Sequence, residues 1–294
     1  MNKQIYRGRF APSPTGDLHL GTLLAAVGSY LQARSQHGEW LMRIEDVDTT
    51  RRVKGAADAL LRALEGFGFE WDGEVVYQSQ RTDLYESALE ILSQKDQIYP
   101  CTCSRKQLAD EGPVYVGHCR QLRLPLAEEH ALRLRVEDQL IGFDDQVIGY
   151  YQQTLASECG DFVIKRKDGL FAYQLAVVVD DAKQGINEVV RGIDLLDSTP
   201  RQIYLQQQLG YAQPDYLHLP LLVDEHGHKL GKSTGAAALD LSQPVFHLHS
   251  ALELLGQKPP AELARDDLNQ LWLWAAEHWN IDLIPTQSLT INQN

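Results

Sequence analysis

The amino-acid sequence predicts an α/β protein: a parallel sheet with helical crossovers, interrupted by a small inserted domain and followed by a helical tail. Three observations predict it. Apolar runs of strand length alternate with runs of helical period through residues 5–67. Three of the four cysteines then fall within residues 101–119, inside a stretch punctuated by Gly and Pro. Regular periodicity resumes after residue 170 and ends in helical segments.

Taken in order, IYRGRFA at 5–11 reads as a short strand, and after PSPTGDLHLG the run 22–34 carries Leu23, Leu24, Val27, Tyr30 and Leu31 at helical spacing. EWLMRIEDV at 39–47 is apolar enough for a buried strand, and 54–67 returns to helical period with Ala57, Leu60, Leu61 and Leu64. This βαβα order predicts parallel strands, right-handed crossovers and ligands at the carboxyl ends of the strands. A helix at 82–94 leads into the cysteines, and 99–168 reads as an irregular insertion with short apolar runs such as ALRLRV. FAYQLAVVVDD at 171–181 reads as a buried strand, 198–209 as a helix and DYLHLPLLVD at 215–224 as a strand. The tail is helical, most clearly at 245–255 and 268–278.

With 294 residues, 44% of them hydrophobic, the chain can bury a sizeable core in about two domains. No run approaches the ~20 apolar residues of a membrane span, and the N-terminus lacks the apolar core of a signal peptide; the expectation is a soluble, cytoplasmic protein with no membrane partner. Clustered cysteines suit a reducing compartment in which thiols hold metal. A net charge of −13 argues against a surface that binds nucleic acid over its whole extent, and leaves local basic patches as candidates for RNA contact.

The most informative stretch is FAPSPTGDLHLGT, residues 10–22. Two prolines stiffen the chain after the first strand, and Gly16 and Gly21 permit a backbone approach that a Cβ would block. A helix follows at once, so its free N–H groups suit an anionic ligand, and His19 is placed to donate to a phosphate oxygen. In HGHKLGKSTG, 226–235, Lys229 and Lys232 stand three positions apart among glycines, a cationic loop able to close over a triphosphate.

Together these stretches resemble the two signatures of the class I aminoacyl-tRNA synthetases. HLGT (His19 to Thr22) is similar to the first, usually HIGH, and KLGKS (Lys229 to Ser233) to the second, usually KMSKS. RFAPSPTGDLHLG, RIEDVD at 43–48, VVRGIDLLDSTPRQ at 189–202 and HLPL at 218–221 follow the glutamyl-tRNA synthetase branch in the same order, over roughly residues 5–240. Leu230 and Gly231 replace the Met and Ser of the second signature, while both lysines are kept. The resemblance implies a Rossmann-like nucleotide-binding catalytic domain in two halves, 1–98 and 169–235. Between them would lie a zinc-containing, tRNA-binding insertion at 99–168, and after them a helical, stem-contact-like domain at 236–294. It also implies that His19 and Gly21 meet the phosphates of ATP, which carries Mg²⁺, that Lys229 and Lys232 are catalytic, and that Lys232 faces the leaving pyrophosphate.

A substrate with two carboxylates and one ammonium calls for paired arginines and an acid, because guanidinium forks match carboxylates bidentately. Arg9, Glu45, Tyr173 and Arg191 fit that requirement. By resemblance, Arg9 with Ser13 and the neighbouring backbone of Phe10, Ala11 and Pro12 lines the substrate L-glutamate. Glu45 then holds its α-ammonium, and Tyr173 and Arg191 surround its side-chain carboxylate.

Cys101 and Cys103 are one residue apart, so in an extended segment both thiols face one side, and Cys119 returns after a loop. That arrangement suits tetrahedral zinc with one position either open or closed by a fourth ligand. His118 is the commoner ligand type but adjoins Cys119; Tyr115 stands four residues before it. The C-x-C…Y-x-x-x-C arrangement of the resembling family implies Tyr115, closing one structural zinc site. Cys159 reads as a lone thiol.

Only residues 236–294 follow the second signature, where a glutamyl-tRNA synthetase continues into a large helical anticodon-binding half. The chain thus resembles the short paralogues of that branch, which activate glutamate without tRNA and attach it to queuosine in the anticodon of tRNA(Asp). The implied partners are ATP, L-glutamate and queuosine-bearing tRNA(Asp), with the chain a monomer. Lys165 and Arg166 of the KRK run, together with Arg105, Arg120 and Arg123, are the local basic candidates for RNA contact. The alternatives are a truncated glutamyl-tRNA synthetase charging the 3′ end of tRNA(Glu), a nucleotidyltransferase using another acid, and a non-catalytic synthetase-like regulator.

Overall fold

The computed structural model describes residues 5–110, 112, 114–125, 129–230, 238–265 and 267–291. The chain opens with β1 (Arg7–Phe10), α1 (Leu20–Ser35), β2 (Glu39–Ile44), α2 (Ala56–Gly66) and β3 (Val76–Tyr77). The strands pair in parallel in the order β1-β2-β3, as strands joined by helices must. Leu23, Leu24, Val27 and Leu31 recur along the buried face of α1, and the helix approaches its neighbours closely: a Cβ on Gly28 would lie 2.6 Å from the Leu219 side chain. Trp40 of β2 is fully buried, and its indole N–H donates to Ser29 Oγ at 3.0 Å.

Next come α3 (Thr82–Gln94), β4 (Ile98–Cys101), α4 (Arg105–Asp110), β5 (Ala131–Leu134), β6 (Leu140–Asp145), β7 (Gly149–Thr154), α5 (Leu155–Glu158) and β8 (Phe162–Lys165). The stretch 99–168 is therefore richer in strands than its sequence pattern shows. β4, β5 and β8 form an antiparallel sheet of their own, whereas β6 and β7 extend a second sheet. The last group of elements is α6 (Tyr173–Gln184), β9 (Glu188–Gly192), α7 (Thr199–Leu209), β10 (Asp215–Leu219), β11 (Leu222–Val223), α8 (Pro244–Leu254), α9 (Leu268–His278) and β12 (Leu289–Thr290); β11 and β12 pair in parallel by themselves, and β9 and β10 complete the second sheet.

Its order is β7-β6-β10-β9, with β6, β10 and β9 parallel and β7 antiparallel at the edge. β9 lies beside β1: the Asn187 N–H donates to the Arg7 carbonyl at 3.0 Å, and Asn187 Oδ1 accepts from the Arg7 N–H at 2.8 Å. The strands thus succeed one another as β3-β2-β1-β9-β10-β6, and chain order reverses between β1 and β9. In a doubly wound sheet that reversal opens a crevice at the carboxyl ends of the strands.

Two sequence expectations are corrected here. Residues 173–184 form the helix α6, not a strand: Val177, Val178 and Val179 are all buried, and a helix enclosed on several sides shows the same unbroken apolar run as a buried strand. The expected strand over 215–224 is two strands, interrupted at Pro220, which has no N–H to give a ladder. α6 also buries consecutive carboxylates against different neighbours. Asp180 accepts from Gln78 Nε2 at 2.9 Å, Arg81 Nε at 2.6 Å and the Tyr85 hydroxyl at 2.7 Å, while Asp181 turns toward Arg9 and Arg43. Asp180→Ala strips an acceptor from a fully buried network and is expected to cost about 3–5 kcal/mol, read as a lower urea midpoint at unchanged slope.

α8 and α9 lie where the helical period puts them, and Leu248, Leu252, Leu255 and Leu271 share the core of α1, β1 and β2. Among the described residues no helix is long and apolar enough to cross a membrane.

Candidate active site

The loops leaving the carboxyl ends of β1, β2, β9 and β10 surround a cavity of about 490 Å³. Its lining includes Arg9, Phe10, Ala11, Pro12, Ser13, His19, Gly21, Glu45, Tyr173, Arg191 and Lys229, which the sequence drew from five separate stretches. Lys232 lies outside the described residues.

One wall is built from buried charge. Arg43 Nη1 donates to Asp181 Oδ1 at 2.7 Å, Arg9 Nε donates to the same oxygen at 3.0 Å, and Arg43 Nη2 reaches Glu45 Oε1 at 3.4 Å. Arg43 lies near the end of β2 and Glu45 directly follows the strand, two residues on, where the extended alternation carries both side chains to one side. Burial holds the Glu45 carboxyl above its ordinary range against the pull of Arg43 and Arg9. Burial raises Asp181 as well, but there the two guanidiniums win and its carboxyl is held below the usual range. Glu45 is thus the carboxylate that lacks a full counter-charge, which an ammonium would supply.

Arg191 stands at the end of β9, only 6% exposed. Its Nε donates to His218 Nε2 at 3.1 Å, Nη1 to Gln202 Oε1 at 2.7 Å and Nη2 to Thr199 Oγ1 at 2.8 Å. Longer contacts of 3.4 Å reach the Tyr173 hydroxyl and the Leu195 carbonyl. Every one of these acceptors is neutral, and among the described residues no carboxylate is within ion-pair distance of the guanidinium. A buried cation without a counter-charge is costly to maintain, and it marks a place for an anion. Of the charged groups that line the cavity, Arg9, Arg51, Arg191 and Lys229 are cations and Asp17, Glu45 and Asp194 are anions, so the wall carries one positive charge in excess.

The opposite wall is the N-terminus of α1. His19 is its cap residue: Nδ1 accepts from the Thr22 N–H at 3.2 Å, and Thr22 Oγ1 stands 2.9 Å from Nε2. With Nδ1 accepting, the ring proton sits on Nε2. A Cβ on Gly21 would be 3.3 Å from the His19 ring, tighter than an ordinary contact, and 3.8 Å from the Leu230 carbonyl, so the segment that bears Lys229 lies against the helix terminus. In that segment Lys229 is ion-paired to Asp194, and both line the cavity.

Away from the cavity, the Sγ atoms of Cys101, Cys103 and Cys119 lie within 4.8 Å of one another. Cys103 Sγ is 3.5 Å from Cys119 Sγ, and the Tyr115 hydroxyl is 3.6 Å from both Cys101 Sγ and Cys103 Sγ. Ligands about 2.3 Å from a tetrahedral centre stand about 3.8 Å apart, so the four atoms have the spacing of a closed zinc site. Burial opposes ionisation of Cys119, but hydrogen bonds from Thr102, Tyr115 and Cys103 hold its thiol down to about 6, whereas burial pushes Cys103 up to about 11. Burial holds the Tyr115 hydroxyl well above the ordinary phenol range, and the Arg133 guanidinium lies 3.7 Å over its ring. His118 is not part of the thiol cluster; its ring centroid is 6.2 Å from that of Tyr115. Cys159 stands apart as an unpaired thiol.

Three of the basic candidates are engaged within the protein, and Arg123 is exposed. Lys165 pairs with Glu86 at 2.6 Å, Arg166 with Asp48 at 2.9 Å and Asp168 at 2.6 Å, and Arg120 with Asp161 at 3.6 Å. The Arg105 side chain lies outside the described residues. Sequence reasoning did not assign Arg43, Asp181, Asp194 or His218. Arg43 and Asp194 lay inside motifs already singled out, RIEDVD and VVRGID, and Asp181 was hidden by the strand reading of its segment.

Comparison with known proteins agrees with this geometry. A family model described as tRNA synthetases class I (E and Q), catalytic domain, matches residues 6–261. A glutamyl-Q tRNA(Asp) synthetase of Dechloromonas aromatica is 55% identical over 295 residues, covering 97% of this chain and 98% of the relative. One from Pseudomonas fluorescens is 53% identical over 280 residues, covering 95% of this chain and 94% of the relative. Among solved structures, a glutamate-tRNA synthetase from Elizabethkingia anophelis shares the fold, with a TM-score of 0.81 at 23% identity over 99% of this chain and 68% of that one. The chain therefore belongs to the class I tRNA synthetase (E and Q) catalytic-domain family and, within it, to the glutamyl-Q tRNA(Asp) synthetases.

Proposed function

We propose that this protein activates L-glutamate with ATP in the absence of tRNA and transfers it to queuosine in the anticodon of tRNA(Asp). The observation that carries the reading is the buried Arg191, which has only neutral partners and shares a cavity with Arg9, Glu45 and the N-terminus of α1. Glutamate carries one net negative charge and matches the single positive charge that the wall holds in excess. In this reading Arg191 and Tyr173 take the side-chain carboxylate and Glu45 takes the α-ammonium. Arg9, Ser13 and the backbone of residues 10–12 line the remainder.

An oxygen of the free α-carboxylate then attacks the α-phosphorus of ATP, the bond to the bridging oxygen breaks, and pyrophosphate leaves. Charge on the phosphates is met by the Nε2–H of His19, the free N–H groups of α1 and Lys229, with Lys232 assigned to pyrophosphate. Mg²⁺ arriving with the nucleotide supplies further neutralisation of the phosphates. No enzyme nucleophile is needed, because positioning and electrostatics suffice. Transfer to queuosine releases AMP.

Cys101, Cys103 and Cys119, with Tyr115 as the fourth, are the residues that would hold one structural zinc and tie down the insertion at 99–168. That insertion is the candidate contact with tRNA, set between catalytic halves 1–98 and 169–235 and followed by the helical segment 236–294. The reading places the protein in the cytoplasm, acting as a monomer.

Radiolabelled glutamate supplied with ATP and tRNA(Asp), with and without queuosine, tests the proposal. Label is expected only on the queuosine-bearing tRNA, and ATP–pyrophosphate exchange is expected with glutamate alone. Label on both forms, or on the terminal adenosine of tRNA(Glu), overturns it.

A further inference from the structure

We propose that Asp145 and His218 are positioning residues that fix the tautomer of one imidazole, so that Arg191 is presented to the substrate carboxylate with a neutral protein partner. The inference rests on the reading of Arg191 as the anchor of the glutamate side chain. Three groups lie in a row. His218 Nδ1 is 2.6 Å from Asp145 Oδ2, and His218 Nε2 is 3.1 Å from Arg191 Nε, with the side chains of His218 and Asp145 fully buried.

Donor and acceptor roles in this row admit one solution. A carboxylate only accepts and a guanidinium only donates, so the proton sits on Nδ1 and Nε2 is bare. Burial holds His218 below the ordinary imidazole range, in keeping with a neutral ring. The other oxygen of Asp145 is fixed independently: Oδ1 accepts from the Val147 N–H at 3.0 Å, the Ile148 N–H at 2.9 Å and the His218 N–H at 3.3 Å. The carboxylate therefore cannot turn away from the ring.

The arrangement has a functional logic. A carboxylate in direct contact with Arg191 would neutralise it and compete with the substrate, whereas a guanidinium with no counter-charge in reach would be costly to bury. One imidazole between them stabilises the cation and leaves its charge uncancelled. Asp145 ends β6, which belongs to the inserted stretch and pairs with β10, the strand that carries His218. Residues 99–168 thereby contribute to the selection of the amino acid through a strand of the parallel sheet itself.

Asp145→Asn tests this in the intact protein. Its carbonyl stays with the three backbone N–H groups, so its amide N–H faces Nδ1. The proton moves to Nε2, where it opposes the Arg191 N–H. In ATP–pyrophosphate exchange the KM for glutamate is expected to rise about ten- to hundredfold, while the KM for ATP moves by less than about twofold. In a His218→Gln background, where a side-chain carbonyl offers Arg191 an acceptor irrespective of tautomer, the added D145N change is expected to shift the KM for glutamate by less than about threefold. ¹⁵N NMR of the His218 ring, which needs no activity, is expected to show the proton on Nδ1 in the native protein and on Nε2 in D145N. A native ring protonated on Nε2, an unchanged glutamate KM in D145N, or an equal D145N penalty in both backgrounds overturns the inference. Absence of glutamate-dependent exchange in the native protein would instead overturn the proposed function, leaving the tautomer measurement to judge the pair by itself.

Discussion

Arg191→Met is expected to lower kcat/KM for glutamate in ATP–pyrophosphate exchange by about 10³, while leaving the thermal midpoint unchanged or higher. The two halves of that expectation have one cause. Arg191 is a buried cation whose protein partners are all neutral, so the folded state bears its desolvation without a compensating ion pair. An apolar side chain of similar reach removes that cost. In the proposed function the substrate, by contrast, loses the charge-assisted fork that holds its side-chain carboxylate, an interaction worth about 4 kcal/mol when its partner is fully buried. Arg191→Lys keeps the charge but not the fork, and is expected to recover less than about a tenth of the loss. Steady-state exchange kinetics and differential scanning calorimetry together check the pairing. A variant that loses both activity and stability would mean that Arg191 serves the fold, not the ligand.

Cys119→Ser is expected to release one zinc per chain, measured by mass spectrometry of the native protein, and to abolish labelling of tRNA(Asp) while more than about a tenth of glutamate-dependent exchange survives. The thiols, with Tyr115, Tyr99 and Ala131, form a small core of their own, remote from the cavity lining. So small a group of buried side chains holds little by hydrophobic burial, whereas a structural zinc supplies on the order of 10 kcal/mol. Gly160→Ala gives an independent route to the same outcome. Gly160 has φ +67°, and a Cβ there would lie 2.3 Å from the Tyr115 carbonyl oxygen, so the substitution must displace the Tyr115 backbone without touching a thiol or the phenol oxygen. Weaker zinc retention against a chelator, by at least about tenfold, is expected. Retention of zinc by C119S, or collapse of exchange in step with tRNA labelling, would contradict the separation of the two sites.

Much of the site was legible because its parts sit next to one another in the chain. The loop from β1 into α1 shows its prolines, glycines and His19 in a row, and the C-x-C pair displays its own geometry. The charge balance was not legible. Arg9 meets Asp181 across 172 positions and Asp145 meets His218 across 73, and no periodicity encodes such pairings. For the basic run 165–167 the sequence showed positive charge but not the acids of Asp48 and Glu86 that meet it.

By itself, then, the sequence determined most of the alternation of strands and helices, the parallel sheet, the start of α1 at His19 and the residue types that line the cavity. Each of these is written in local spacing, which reports whether a face is buried and how a backbone turns. Only the tertiary structure decided that residues 173–184 form a helix, that Arg191 is buried among neutral acceptors, and that Tyr115 and not His118 stands against the thiols. Those outcomes depend on what lies across a buried face, and period reveals burial without revealing the neighbour.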